Sequence, residues 1–61
     1  MSRVDILANF LRMFPYYQNT ICSFSSAGPN SILVTMSNGE DVHFTYFNKH
    51  DWRINIYGRT D

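Results

Sequence analysis

The stretch "SILVTMSNGEDVHF", residues 31–44, decides the fold, because two alternating segments joined by a turn sequence predict a β-hairpin. A two-residue turn would place Val34 opposite His43, so that apolar and polar side chains would share a face. A three-residue loop ending at Gly39, with this glycine in the left-handed conformation, instead places Val34 opposite Val42. Since a slip of one residue moves every side chain to the other face, the apolar pattern favours the three-residue loop.

Two further strands are predicted on either side of this hairpin, at residues 20–26 ("TICSFSS") and 52–57 ("WRINIY"). Residues 47–51 are predicted as a loop whose length sets Tyr46 opposite Trp52. The side chains expected on the covered face of the sheet are Cys22, Phe24, Ile32, Val34, Val42, Phe44, Tyr46, Trp52, Ile54 and Ile56.

An N-terminal helix is predicted from about residue 3 to residue 14. Ser2 followed by Asp5 has the spacing of an N-cap with an acid at the third helical position, where the carboxylate meets the positive end of the helix dipole. Pro15 disfavours helical geometry at Phe14 and so marks the end of the helix. The predicted fold class is therefore α+β: one N-terminal helix packed on an antiparallel four-stranded β-meander (α-β-β-β-β).

The apolar stripe of this helix is wider than packing on one sheet requires. It sweeps an arc of roughly 220°, whereas contact with a sheet needs little more than about 100°. Two interpretations remain open at this point. Either the loops of the domain, above all the aromatic pair Tyr16 and Tyr17, wrap the excess, or the helix face formed by Ile6, Phe10 and Met13 meets another chain.

The 61 residues are expected to form one small α+β domain, 1–61, with residues 58–61 frayed. A chain of this size buries only about 60% of its unfolded surface, so its stability is marginal without disulfides, metal or association. The single cysteine, Cys22, excludes an intramolecular disulfide and is expected to be a small buried hydrophobe. Association with another chain, most simply as a homodimer, therefore gains weight.

The charges of the chain are balanced. The formal net charge is zero, so no overall field attracts nucleic acid or an anionic membrane. Residues 13–39 carry no charged side chain, and since exposed strand edges normally carry charges, this stretch is expected to be covered by the fold or by a partner. No apolar run approaches the ~20 residues that span a bilayer, and polar residues interrupt the N-terminal apolar ones, so we expect a cytoplasmic protein without a secretory segment or membrane contact.

The segment "EDVHFTYFNKHDW", residues 40–52, holds both histidines but predicts no reactive site. His43 lies on the third strand and His50 in the turn beyond it, roughly 17 Å away at about 3.3 Å per residue, which is too far to share a metal ion. Asp41, His43 and Thr45 lie on one flat sheet face that offers no pocket and no oxyanion donors. We therefore expect no catalytic residues, no metal and no cofactor.

The function expected from these features is non-enzymatic protein binding by a small self-associating regulator or inhibitor of a larger intracellular protein. Aromatic residues and arginine are enriched among interface anchors. The candidate contact surfaces are the helix face, Ile6, Phe10 and Met13, and the outer sheet face, Leu33, His43, Phe47, Arg53 and Tyr57. Accessory proteins of phages and mobile elements, which act in the host cytoplasm, have a similar size. Size is the one feature that links this chain to them.

The alternative function is binding of single-stranded nucleic acid, with His43, Phe47, Arg53 and Tyr57 as a stacking platform on the sheet. The basic residues of the sheet half are matched by acidic ones, which weakens attraction to phosphates. The aromatic sheet motif of RNA-recognition domains, with its basic residue and spaced glycines, is missing. Protein binding is therefore the favoured function.

Overall fold

The computed structural model describes residues 2–58. Within them the elements, in chain order, are α1 (Arg3–Met13), a short 3-10 turn (Pro15–Tyr17), β1 (Ile21–Gly28), β2 (Ser31–Met36), β3 (Asp41–Asn48) and β4 (Asp51–Tyr57). The strands pair antiparallel in the order β1-β2-β3-β4, so each lies beside its neighbour in sequence. The predicted α+β meander is confirmed. Fraying is expected at residues 58–61, and of these, residues 59–61 lie outside the part of the chain that the structure describes.

The local signals at both ends of α1 act as the sequence predicts. The Ser2 hydroxyl accepts a hydrogen bond from the Asp5 backbone N–H at 3.2 Å and donates one to the Asp5 carboxylate at 3.0 Å. The cap therefore satisfies an N–H group that has no partner inside the helix. The helix ends at Met13, and Phe14 leaves helical geometry (φ −131°, ψ 68°) directly before Pro15.

The hairpin between β2 and β3 has the predicted three-residue loop. Gly39 adopts a positive φ of 93°, and its N–H donates to the Met36 carbonyl at 3.0 Å. The Met36 N–H in turn donates to the Glu40 carbonyl at 2.8 Å. Val34 lies opposite Val42, so the register chosen from the apolar pattern is confirmed.

The hairpin between β3 and β4 keeps the predicted side-chain pairing but has a tighter loop. Tyr46 lies opposite Trp52, as expected. The strands continue to the pair formed by Asn48 and Asp51, both of which belong to the predicted loop. Phe47 is an extra residue of β3 that has no counterpart in β4. This irregularity lets Tyr46 pair with Trp52 and Asn48 pair with Asp51 in the same hairpin.

A bulge in β1 turns Cys22 outward, so its predicted burial is wrong. Ile21 and Ser23 pair with two consecutive residues of β2, which leaves Cys22 as an extra residue in the ladder. Ile21 and Phe24, three positions apart, both pack against the core, whereas Cys22 is exposed and free. The prediction assumed strict alternation along the strand, and a bulge breaks that alternation.

The core lies between α1 and the two central strands. α1 crosses β2 and β3, and the apolar side chains of these elements face one another. The buried apolar residues are Ile6, Phe10, Ile32, Val34, Met36, Val42 and Phe44.

The helix face expected to meet another chain lies on the sheet instead. Ile6 and Phe10 are 1% and 0% exposed, and Met13 is half-buried against the same core. The ring centroids of Phe10 and Phe44 are 5.2 Å apart. The helix face expected to bind another chain is therefore part of the core. An apolar stripe that is wider than the contact between helix and sheet does not specify which of its sides meets the sheet.

The 3-10 turn covers part of the helix stripe. Tyr17 stacks on Phe10, with ring centroids 5.6 Å apart and planes at 17°, whereas Tyr16 is exposed. Hydrogen bonding with Tyr16 and, to a smaller extent, burial raise the pKa of Tyr17 above its ordinary value of 10.0. Of the aromatic pair expected to cover the excess of the apolar helix stripe, Tyr17 does so. On the opposite flank, Val4 is 60% exposed.

Candidate functional site

The face of the sheet opposite α1 is the candidate functional surface, and we call it the open face. α1 and the 3-10 turn pack on the other face through Ile6, Phe10 and Tyr17, and no helix among residues 2–58 covers the open face. Three rows of facing residues cross it: Ser25–Leu33–His43–Asn55, Ser23–Thr35–Asp41–Tyr57 and Ser31–Thr45–Arg53.

The structure places the five residues predicted for this surface at different distances from one another. Leu33 and His43 are direct cross-strand neighbours, both half-buried in the middle row. Arg53 and Tyr57 belong to the two flanking rows of β4, roughly 13 Å apart at about 3.3 Å per strand residue. Phe47 is exposed at the irregularity near the β3–β4 turn and lies outside the three rows.

The polar side chains along β3 are spread over the open face. Asp41, His43 and Thr45 occupy three different rows, with Cα atoms roughly 6.6 Å apart from one row to the next. The Thr45 hydroxyl forms a hydrogen bond of 2.7 Å with the hydroxyl of Ser31, which is buried. Thr45 therefore satisfies a buried polar group on β2 and joins the two strands.

A cleft of about 450 Å³ opens between the start of α1 and the β1–β2 turn. Its lining residues are Ser2, Arg3, Val4, Ile6, Ser26, Gly28 and Pro29. None of these supplies a carboxylate, an imidazole or a thiol, so the lining offers neither a general base nor a metal ligand. The sequence does not predict this cleft, because the two segments that line it meet only in the folded chain.

Metal ligands are dispersed in the part of the chain that the structure covers. Within residues 2–58, no three His, Cys, Asp or Glu side chains form a group that could hold a metal ion. The imidazole of His43 lies in the middle row of the open face between Leu33 and Asn55, neither of which is ionisable.

β4 presents a second apolar surface that the sequence does not predict. Trp52, Ile54 and Ile56 face the helix side by register, yet Ile56 is 50% exposed. The helix crosses β2 and β3 and reaches β4 through Phe14, whose ring centroid is 5.7 Å from that of Trp52. Tyr57, on the open face, is 57% exposed. Strand alternation marks these side chains as inward or outward, but only the placement of the helix decides how far each is covered.

Charges around the open face are few and of both signs. Arg53 Nη1 lies 3.8 Å from Asp51 Oδ1 on the same strand, and both side chains are exposed, so this pair contributes little stability. Asp41 lies opposite Tyr57 in the other flanking row. The open face therefore has no continuous positive track among the described residues.

Comparison of the chain with protein-family models, with curated proteins and with solved structures gives no match. Among residues 2–58, no helix combines the length and the apolar character needed to cross a lipid bilayer. The open face and β4 are the features from which a function can be inferred.

Proposed function

We propose that this protein is a non-enzymatic, self-associating binding module that acts in the cytoplasm as a regulator or inhibitor of a larger protein, which it contacts through the open face. The observation that carries this proposal is the composition of that face, where a central leucine lies among polar side chains and an arginine and a tyrosine stand at the β4 margin. Leu33 is half-buried in the middle row, while Arg53 and Tyr57 are exposed on β4. Arginine and tyrosine beside apolar area are typical of interface anchors.

The polar groups of the open face also support a binding role. The Thr45 hydroxyl is engaged by Ser31, so this part of the face offers contact area in place of a reactive group. A cytoplasmic location is supported by Cys22, because an exposed, unpaired thiol persists in a reducing compartment.

Single-stranded nucleic acid fits the open face less well. Asp51 lies beside Arg53, and Asp41 lies opposite Tyr57, so two of the four candidate stacking or phosphate-binding residues have a carboxylate close by. Attraction to a phosphate backbone depends on unopposed positive charge. A protein surface with charges of both signs is the better complement to this face.

The proposed function is tested by capturing partner proteins from the native host with the immobilised wild-type chain and with Arg53→Glu. Arg53 is exposed on the open face, so its charge reversal leaves the core unchanged. We expect capture to fall by about tenfold or more, the loss of roughly 1.4 kcal/mol that removal of an interface anchor causes.

Lys49→Glu is the matched control. It makes the same charge change in the exposed turn between β3 and β4, outside the three rows of the open face, and should leave capture at the wild-type level. Equal capture by all three proteins would exclude the open face as the binding surface. Tight binding of a labelled oligonucleotide that weakens steeply with salt, and equally in both variants, would favour nucleic acid instead.

A further inference from the structure

The hydrogen-bond pattern of the sheet determines which backbone groups of β4 are free. The Met36 N–H donates to the Glu40 carbonyl at 2.8 Å, and the Tyr46 N–H donates to the Asn30 carbonyl at 2.9 Å. In an antiparallel sheet, alternate residues of a strand direct their N–H and C=O groups to the same neighbouring strand. The even-numbered residues of β3 therefore bond toward β2, and its odd-numbered residues bond toward β4.

The same alternation continues into β4. The residues of β4 that lie opposite odd-numbered residues of β3 are Arg53, Asn55 and Tyr57. Trp52, Ile54 and Ile56 therefore direct their N–H and C=O groups away from the sheet, toward the free edge. These three residues also carry the apolar side chains of the helix side, and Ile56 is half exposed. Among residues 2–58, β4 thus combines backbone groups that pair with no other strand and an apolar side chain, Ile56, that is only half covered.

We propose that a second copy of this chain occupies this edge, with β4 of each copy paired antiparallel about a two-fold axis at Ile54. Trp52 then lies opposite Ile56 of the second copy, and the two Ile54 side chains face each other. The two sheets join into one, and each β4 covers the apolar side chains that the other leaves open. The inference rests on the proposed function and deepens it by naming the surface of self-association.

The position of the axis follows from the backbone. An axis at Ile54 uses all three outward-directed residues and forms about six hydrogen bonds, because each bonded antiparallel pair exchanges two. An axis at Arg53 or at Asn55 leaves one outward-directed residue without a counterpart inside β4 and forms about four. The axis at Arg53 also places two guanidinium groups opposite each other. The Ile54 register is therefore the most favourable one.

The side chains on the open face are complementary in the same register. Arg53 faces Asn55 of the second copy, so the guanidinium donates to an amide oxygen. Asp51 faces Tyr57 of the second copy, so a tyrosine hydroxyl donates to a carboxylate. Charges on an edge strand normally prevent self-pairing. Here each charge meets a neutral partner that can hydrogen-bond to it.

The other edge of the sheet is less suited to pairing. β1 has register shifts between Ile21 and Ser23 and between Ser26 and Gly28, which leaves a regular stretch only over residues 23–26. Bulges at an edge twist the strand and interrupt the row of hydrogen-bonding groups. β4 has a regular register from Trp52 to Tyr57, so it is the edge that accepts a second strand.

The inference is tested by measuring molar mass in solution from low to high micromolar concentration by analytical ultracentrifugation. The wild type should pass from monomer to dimer over this range. Ile56→Glu places a carboxylate against the indole of Trp52 in the second copy and should weaken dimerisation by at least about tenfold, since burying an unpaired charge costs more than the 1.4 kcal/mol of one decade. Val4→Glu makes the same change at a similarly exposed site on α1 and should leave the dimer intact.

Amide hydrogen exchange of the wild type gives a second measurement, independent of any variant's ability to fold. The N–H groups of Trp52, Ile54 and Ile56 should gain protection as protein concentration rises, because only the dimer pairs them. The N–H groups of Arg53 and Asn55 bond to β3 in either state and are already protected in the monomer, so they should gain less protection than the three outward-directed ones.

Three results would overturn the inference: a chain that stays monomeric at high micromolar concentration, a dimer lost in Val4→Glu but kept in Ile56→Glu, or protection that rises in β1 and not in β4. The proposed function fails separately, when Arg53→Glu captures its partner as well as Lys49→Glu does. A monomeric chain that still shows Arg53-dependent capture would therefore reject the β4 dimer and self-association, but not partner binding through the open face.

Discussion

At the scale of single residues, Phe10 and Val4 show how strongly the surroundings decide a role. Both belong to the apolar stripe of α1. Phe10 is fully buried, with its ring 5.2 Å from that of Phe44 and 5.6 Å from that of Tyr17, whereas Val4 is largely exposed. The stripe predicts that some of its members meet the sheet, but the sheet selects which ones.

Truncation of these two residues should therefore have unequal effects on stability. We expect Phe10→Ala to lower the free energy of unfolding by about 3–5 kcal/mol, because it leaves a ring-sized cavity in the core. Val4→Ala should change it by less than about 0.5 kcal/mol, as is usual for exposed positions. Urea unfolding followed by circular dichroism measures both. Similar losses in the two variants would contradict the orientation of α1.

Strict alternation along β1 predicts the wrong face of the sheet for Cys22. The prediction counted every second residue from Phe24 and placed the thiol inside. The bulge between Ile21 and Ser23 inserts one residue, so Ile21 takes the inward position and Cys22 turns outward. The pattern "TICSFSS" has no glycine or proline to signal this bulge, which depends on how β1 meets β2.

At the scale of elements, the β2–β3 hairpin is the best-specified part of the chain. Its apolar pattern selects one register, and Gly39 supplies the one backbone conformation that the three-residue loop needs. Both signals are local, and both agree with the observed pairing of Val34 with Val42. Agreement between turn chemistry and side-chain pattern is what makes a hairpin predictable.

Replacement of Gly39 tests this conclusion. A side chain at φ 93° brings its Cβ too close to the backbone, so Gly39→Ala should cost about 1–2 kcal/mol. Gly58→Ala is the control, because a Cβ there meets no atom within 4 Å. The midpoint of urea unfolding should fall in the first variant and stay at the wild-type value in the second. A shift of equal size in both would show that the loop does not depend on a left-handed residue.

The exposure of the side chains on β4 depends on the elements that pack against it. Its alternation predicts an inward row of Trp52, Ile54 and Ile56, and the register confirms that they share one face. Because α1 crosses β2 and β3, the far end of this row at Ile56 stays half exposed. The edge position and the incomplete cover together make β4 the strand from which we infer self-association.

At the scale of the whole molecule, one aromatic cluster joins the helix to the sheet. The ring of Phe14, at the end of α1, lies 5.7 Å from Trp52 on β4 and 6.5 Å from Phe44 on β3. Phe10 packs against both phenylalanines, with its ring centroid 5.5 Å from that of Phe14 and 5.2 Å from that of Phe44. A helix of this length is marginal in isolation, so α1 should form only together with the sheet that it covers.

Unfolding should consequently be a single cooperative transition. We expect the loss of helix, followed by circular dichroism at 222 nm, to coincide with the change in Trp52 fluorescence, since the indole contacts the helix end through Phe14. The urea midpoints from the two signals should agree at a fixed protein concentration. Fluorescence that changes before or after the helix signal would show that α1 separates from an intact sheet.

The sequence by itself determined the order of the elements, the start and end of the helix, the register of the β2–β3 hairpin, and the pairing of Tyr46 with Trp52. These features depend on contacts between residues that are close along the chain: the Ser2 cap, Pro15 after the helix, Gly39 in its loop, and the alternation of β3 and β4. Such signals act over a few residues and can be read directly.

Only the tertiary structure decided which helix flank is buried, where Cys22 points and how much of β4 remains open. Each of these depends on where α1 and β1 come to rest on the central strands, and a side-chain pattern wider than its contact leaves that placement undetermined. The helix face expected to bind a partner is core for this reason. The β4 edge replaces it as the candidate surface, because α1 packs on β2 and β3 and leaves part of β4 uncovered.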